Sequence, residues 1–550
     1  MPVITISFDR IAKFFPQRRL QDVLDIFPFL GLDIEGVNDS EVRLEYNPNR
    51  PDFASDYGIV RAAKGLLEIE TGIPDFKLSK SSGTAVNVCM STKTIRPYIV
   101  SMIAKNGYLD NGSIKQLISM QEDLHSIVGR HRIKASIGIH NYDVIKFPIS
   151  YTTVDKEFSF APLGESLKHT ISEILSTIDS GKTYGRILQN TERYPMIIDA
   201  ENNVLSFPPI INGSITRIDP NTTNLFVEIT GTNLKAAEDI LSVISMTLYD
   251  MGFRIYTVLA HLDGISKETP DMGCSKIKVE TNYINKLLGL DLHKSEILRC
   301  LRKSRLDGEL VSDNTIECTI PRYRTDIIDD TDLVEDIAIG FGINRFEATK
   351  LSSALHGNRS YSSRYLDLVR ETMIGLGLTE VVNFNLVSRR VHYQLMGIPE
   401  PSNMLTVEKT KSIEHEILRE RLIPSLIETL SHNIHEEYPQ ALFEIGKIFR
   451  LKDKIQEYWN LGLVLAHSKS NYSSCKSIVQ TFMKTCIGKE ISTKTNQNAM
   501  FVLGRSSNVI VDDMTVGYIG EIKPTISSSF KLRVPVVAAE LNLSQVMSLC

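Results

Sequence analysis

The sequence predicts an α+β protein of several domains, and three observations carry that expectation. At 550 residues the chain is too long for one hydrophobic core, and about 150 residues per domain gives three or four. Both periodicities recur: helix patterns over 55–67, 113–128 and 234–252 stand among short β-prone runs over 95–103, 133–139, 203–212 and 224–232. The patterns also change in blocks. A small α/β unit over 1–85 is followed by an α+β domain over 86–265, a smaller domain over 270–345 and a last module over 355–550.

The first block opens on MPVITISFDRIAKFF, a β-prone run and then a helix pattern from near Ser7, in which Asp9 and Arg10 interrupt any signal-peptide core. Nothing approaches the ~18 consecutive apolar residues of a membrane span. With 42% apolar and 23% charged residues the composition is that of an ordinary globular protein. Seven dispersed cysteines (Cys89, Cys274, Cys300, Cys318, Cys475, Cys486 and Cys550) contain no C-x-x-C, so they spell neither a disulfide framework nor a zinc ribbon. They fit a reducing compartment, and a cytoplasmic protein is expected. The net charge of −5 supplies no overall basic field, so any polyanion must be held by local patches or by a partner. Arg130, His131, Arg132 and Lys134 form one such patch, or a solvent-facing run.

Asn47-Pro-Asn-Arg-Pro-Asp52 is stiffened by two prolines, and Asp52 or Ser55 can cap the helix that follows, which reads as a strand-to-helix corner. In the second block His125, His131 and His140 have no ligand spacing and read as core or surface histidines. The third block begins with a loop over 264–273 containing Pro270. A strand and two helix patterns follow, then a strand alternating Ile316, Cys318 and Ile320. It ends in PRYRTDIIDDTDLVEDIAIGFGI, 321–343. At roughly 100° per residue, Val334, Ile337, Ala338 and Phe341 fall on one side and Asp329, Asp332, Glu335 and Asp336 on the other, with Asp326 before the helix. Two readings stay open. The ridge is a wetted outer face favoured by the helix dipole, or Asp326, Asp332, Glu335 and Asp336 converge as oxygen ligands for a hard cation such as magnesium.

In the last block, 373–385 reads as helix, turn and strand, with Gly375 and Gly377 at a helix end. No phosphate-binding P-loop, H-E-x-x-H, G-x-S-x-G or internal repeat occurs anywhere in the chain.

The series Arg324, Asp326, Ile327, Asp332, Leu333, Val334, Glu335, Asp336, Ala338, Gly342 and Asn344 closely resembles the magnesium-site helix of phenylalanyl-tRNA synthetase beta subunits of the archaeal and eukaryotic-cytosolic type. N-P-N-R-P-D, VLSFPPIINGSITRI, NLFVEITGTN, YINKLLGLD, EILRERLIPSL, ALFEIGKIF and VGYIGEIKP resemble further stretches of that family in the same order. The resemblance implies an editing domain over 86–265, a magnesium-site domain over 270–345 and a class II synthetase-like antiparallel-sheet module over 355–550 without catalytic motifs. It implies magnesium on Asp326, Asp332, Glu335 and Asp336. Ser206, Glu228 and Thr230 fall at the editing positions, with Glu228 where the family usually has Asp, a displacement of roughly an ångström or more for the carboxylate. The implied function is ATP-dependent attachment of phenylalanine to its tRNA, with an alpha subunit carrying the synthetic active site in an α2β2 assembly, and hydrolysis of mischarged tyrosyl-tRNA. Two other readings compete: a non-catalytic tRNA- or protein-binding regulator derived from such a subunit, and a free-standing aminoacyl-tRNA hydrolase.

Overall fold

Val3–Ser7 alternates inward Ile4 and Ile6 with half-exposed neighbours, and Ser7 then caps the helix Phe8–Phe14 by accepting the Arg10 amide. This is a computed structural model that describes residues 2–81, 83–350, 356–408, 410 and 412–548. Cys550, and 351–355 where the last module is expected to begin, lie outside the described residues. The architecture is mixed α+β and multidomain, and the chain divides into two units, 1–349 and 350–550.

In the first unit Glu41–Glu45 runs between Val3–Ser7 and Asp33–Val37 in a three-stranded antiparallel sheet. The proline corner follows, and of its two candidate caps Ser55 is used: its Oγ accepts the Gly58 amide at 3.1 Å. Gly58 is required there, because a Cβ would stand 1.7 Å from the Asp52 carbonyl oxygen.

An eleven-stranded sheet comes next. Its path runs Ile211–Asn212, Val204–Phe207, Tyr194–Ile198, Ile149–Val154, Ala85–Val88, Arg254–Leu262, Tyr98–Lys105, Leu225–Gly231 and Ala135–Asn141. The helix Leu234–Asp250 packs against it with most of its middle turns buried, from Ile240 to Leu248, its charged residues Lys235, Glu238, Asp239 and Asp250 lying toward the two ends. Its serines satisfy themselves locally, Ser245 Oγ donating to the Leu241 carbonyl at 2.7 Å. One continuous core joins Ile4, Phe27 and Ile59 to Val100, Val227 and Ile244, so the segments on either side of residue 85 share their burial. The loop expected over 264–273 is corrected in part: Ile265–Thr269 is a strand paired antiparallel with Arg254–Leu262. Four of its five side chains are exposed, so backbone hydrogen bonds rather than apolar alternation hold it.

A second three-stranded sheet, Ser275–Glu280, Thr315–Ile320 and Asp307–Ser312, carries the helices Thr281–Leu288, Lys294–Lys303 and Asp330–Phe341. Ile316, Cys318 and Ile320 point inward as the alternation predicts. Lys294–Lys303 and the acidic helix approach closely at Gly340, where a Cβ would meet the Cys300 carbonyl oxygen at 2.3 Å. Leu333, Val334, Ile337 and Phe341 face the core, but so does Asp336, which corrects its place on an outer ridge.

The second unit is built on a seven-stranded sheet: Thr379–Glu380, Gln440–Leu451, Ile455–Ala466, Val536–Asn542, Met514–Ile522, Phe501–Val511 and Ser492–Thr495, antiparallel except at the first pair. One core packs Tyr361–Gly375 and Tyr472–Ile487 on this sheet, and a second packs Ile423–His432 and Pro524–Ser529. The helix ends at Gly375, and Gly377 takes φ +84°. No helix among the described residues is long and apolar enough to cross a membrane.

His392 is fully buried in this unit, its Nε2 accepting the Glu420 amide at 3.3 Å. Burial, with Arg421 and Arg419 nearby, takes its pKa down to about 3. Because the unfolded imidazole titrates near ~6.5, the stability this neutral ring provides is present above that pH and is lost as pH falls toward 3, by about 1.4 kcal/mol per pH unit. Denaturant titrations between pH 7 and 4 should therefore show a His392→Gln variant, which keeps an acceptor, with a shallower acid slope than wild type.

Candidate functional site

Two cavities of the first unit receive the residues singled out in the sequence. Asp326, Asp332, Glu335 and Asp336 all line one of about 190 Å³. Asn47, Asn49 and Arg50 form part of its wall, so the proline corner is architectural and also borders these carboxylates. Arg50 is locked in that position by paired hydrogen bonds to Asp52, both 2.9 Å, and by stacking on Phe53.

The four carboxylates are not equivalent. Arg324, buried, donates to Asp326 Oδ2 at 2.7 Å and to Asp336 Oδ2 at 2.5 Å. Burial alone would lower the guanidinium pKa, but Asp336 and Asp326 outweigh it and hold the pKa far above the ordinary value. Burial raises the Asp326 carboxyl while Arg324 and Arg50 pull it back, leaving it below the usual carboxylate range. Asp332 is turned to backbone: its Oδ2 accepts the Ile328 and Asp329 amides at 2.7 and 3.0 Å, and Asp329 caps the helix in return. Glu335 is exposed.

Among the described residues no three His, Cys, Asp or Glu side chains stand together so as to hold a metal ion. The donors are all oxygen, as magnesium prefers, yet Arg324 already neutralises two of them. The set therefore does not fit a ready-made cage of four. Its chemistry fits a hydrated ion approached from Glu335 and the Oδ1 of Asp332, since magnesium keeps several waters and takes few carboxylates.

The second cavity, about 550 Å³, lies where the edge strand Ala135–Asn141 meets the helix Asn111–Ser126 and the turn after Val204–Phe207. Ser206 lines it. Glu228 and Thr230 sit two residues apart on Leu225–Gly231, opposite Gly138 and Ser136 of the edge strand, and neither belongs to the cavity wall. All three are buried, so Ser206 and Thr230 are not solvent-facing hydroxyls of the sheet surface. Thr230 holds a buried arginine instead: Arg96 donates to Thr230 Oγ1 at 2.9 Å, to its carbonyl at 2.8 Å and to Ser136 Oγ at 3.1 Å. Burial lowers the pKa of Arg96 to about 10, against the opposing pull of Tyr151 and Glu228. The longer side chain of Glu228 fits because residue 138 is glycine, where a Cβ would come within 2.3 Å of Glu228 Oε1.

Sequence reasoning missed Gln121, Glu122, Asn212 and Thr216, which share this wall with Arg132. Arg132 had a signal in the basic run, but its role is geometric. Arg130, His131 and Arg132 take φ of 50°, 52° and 67°, three successive left-handed residues that disfavour L side chains. That turn brings Arg132 back to donate to Ile210 O at 3.0 Å and Glu122 at 2.8 Å and to stack on Tyr184, while Arg130, His131 and Lys134 stay exposed. His125 and His140 are core histidines, as expected.

In the second unit the stretch 416–426 offers no free cation from Arg419. That side chain is buried against Glu444 at 2.5 Å and donates to the Lys447 carbonyl at 2.9 Å.

Comparison with known proteins identifies the family. Residues 277–343 match the tRNA synthetase B5 domain model, and residues 347–543 match the phenylalanyl tRNA synthetase beta chain CLM domain model. The phenylalanine–tRNA ligase beta subunit of Methanosphaera stadtmanae is 33% identical over 99% of this chain and 100% of its own length. That of Archaeoglobus fulgidus is 35% identical over 99% and 98%. A crystal structure of an N-terminal fragment of the phenylalanyl-tRNA synthetase beta subunit from Pyrococcus horikoshii superposes with a TM-score of 0.60 at 34% identity, covering 62% of this chain and all of that fragment. With identity of this order running almost from end to end, the chain belongs to the phenylalanine–tRNA ligase beta-subunit family.

Proposed function

We propose that this chain works in the cytoplasm with an alpha subunit, in an α2β2 assembly, to join phenylalanine to its tRNA through an aminoacyl-adenylate made from ATP. The observation that carries the reading is the full-length match to relatives named as that ligase's beta subunit. It favours a working subunit over a decayed regulator, because no block of the chain is left without a counterpart. The synthetic site belongs to the alpha subunit. Here the residues 350–550 serve as a class II-like module whose Arg419 is committed to Glu444, which supports a scaffolding role rather than ATP binding. The exposed Val382, Phe384 and Ile413 are apolar groups that a partner chain would cover.

The residues 270–345 would hold magnesium, with Glu335 and Asp332 as outer ligands and Asp326 and Asp336 completing the set once Arg324 is displaced. Bound there, the ion would supply positive charge to an otherwise anionic surface. The residues 86–265 would carry hydrolysis of mischarged tyrosyl-tRNA in the cavity lined by Ser206, with Glu228 and Thr230 behind its wall. Hydroxyls and amides of this kind can orient a water against an ester without a strong nucleophile of their own.

Tagged chain recovered from its host should bring a second polypeptide in equal amount, and the pair should charge tRNA with phenylalanine and release tyrosine from tyrosyl-tRNA. Recovery of the chain alone would remove the subunit reading. A pair that charges tRNA but leaves tyrosyl-tRNA intact would remove only the hydrolytic one.

A further inference from the structure

Beneath the cavity three side chains from three separate elements stand in a row. Thr216, on the wall, has its Oγ1 2.8 Å from Nδ1 of His140. The other ring nitrogen of His140, Nε2, is 3.8 Å from Glu228 Oε1. His140 and Glu228 are 0% and 1% exposed, and among the described residues neither His140 Nε2 nor Glu228 Oε2 has a hydrogen-bond partner. A buried imidazole nitrogen and a buried carboxylate oxygen left without hydrogen-bond partners are costly unless the site uses them. Gly138 leaves the space in which they meet, since a Cβ there would press on both Glu228 Oε1 and His140 Nε2.

From this geometry we propose that Thr216, His140 and Glu228 form a proton relay for ester hydrolysis, with Thr216 the catalytic residue at the cavity wall and His140 and Glu228 positioning residues behind it. The assignment rests on the hydrolytic reading above. A carboxylate on the Nε2 side favours the tautomer with its proton on Nε2, which leaves Nδ1 free to accept from the Thr216 hydroxyl. A water in the cavity then attacks the carbonyl carbon of the aminoacyl ester. It loses one proton to Thr216 Oγ1 as the threonine's own proton passes to His140 Nδ1, and the resulting imidazolium is stabilised by Glu228. The bond from the carbonyl carbon to the ribose oxygen breaks, and that oxygen leaves as a hydroxyl, taking the proton back from His140 through Thr216. The products are the free amino acid and uncharged tRNA, with no acyl-enzyme between.

The test is single-turnover hydrolysis of tyrosyl-tRNA by the full chain purified with its alpha subunit. Thr216→Val should slow the saturated rate by about 100-fold or more, with the half-saturating concentration of tRNA unchanged, as for loss of a general base. Thr216→Ser should return to within about tenfold of wild type, since it restores only the hydroxyl. Should Thr216→Val not fold, His140→Gln supplies the same comparison of rate against half-saturation. A folded Thr216→Val or His140→Gln with wild-type rate, or Thr216→Val and Thr216→Ser equally impaired, would overturn the relay while leaving hydrolysis in place. Wild-type complex that releases no tyrosine would overturn the hydrolytic reading itself, and the relay with it.

Discussion

Arg324→Leu should lower the stability of the unit 1–349 by about 3–5 kcal/mol, the usual cost of removing one partner from a buried ion pair. The side chain lies under the carboxylates it separates, and Asp326 and Asp336 are 10% and 7% exposed at their side chains, so neither can turn to water for compensation. Arg50, 3.9 Å from Asp326, is already committed to Asp52 and cannot take over. The expected loss should also become dependent on magnesium. Without the Arg324 guanidinium, Asp326, Asp332, Glu335 and Asp336 line a cavity of about 190 Å³ whose one remaining cation among the described residues, Arg50, is held on Asp52. An ion that binds only the folded state then stabilises it by about 2.7 kcal/mol at a hundred times its dissociation constant. Hydrogen exchange along the helix Asp330–Phe341 should report both effects: faster in Arg324→Leu, and slowed again by millimolar magnesium more than in wild type. If the variant is destabilised yet indifferent to magnesium, these carboxylates serve only the ion pair, and the proposed metal site is lost.

Asp336 shows where the sequence stopped being legible. A helical wheel separates the acidic residues from the apolar ones but cannot tell which acid at the border is inside, and Asp336 lies at that border. The missed signal was Arg324, two residues before Asp326: an arginine in an apolar, proline-bounded approach to a helix needs carboxylates if it is buried. Features set by near neighbours were readable. The Ser55 cap, the alternation of Ile316, Cys318 and Ile320, and the helix end at Gly375 each follow from residues within a few positions. The strand Ile265–Thr269 was not readable, because its partner's backbone holds it and its own side chains are mostly solvated. Nor was the meeting of Thr216, His140 and Glu228, which depends on strand order in an eleven-stranded sheet and on a glycine whose missing Cβ matters only across the sheet.

Glu540→Leu should cost the unit 350–550 about 3–6 kcal/mol, because one carboxylate there serves four donors. Oε2 accepts the Leu422 and Ile423 amides at 3.0 and 3.3 Å, at the start of the helix Ile423–His432, and the Tyr518 hydroxyl at 3.1 Å. Oε1 accepts from Asn460 Nδ2 at 2.7 Å. Leucine fills the volume and leaves all four donors buried without an acceptor. Glu540→Gln should behave differently. Asn460 Oδ1 is buried with no partner among the described residues, so turning that amide over presents an oxygen to the new glutamine NH2, and the cost at neutral pH should stay within about 1 kcal/mol. Burial outweighs the hydrogen bonds and raises the Glu540 carboxyl above its ordinary value. The stability tied to its protonated form is therefore full below the unfolded value near ~4.3 and is lost as pH rises through the folded value, a loss glutamine does not share. The difference between Glu540→Gln and wild type should move in favour of glutamine as pH rises from about 4.3 to 8. Trp459, the only tryptophan in the chain and the neighbour of Asn460, makes the measurement direct, since urea unfolding followed by its fluorescence reports this unit. A Glu540→Leu variant with an unshifted midpoint, or a glutamine variant as unstable as leucine, would mean that the four donors find other acceptors and that the carboxylate does not anchor the helix.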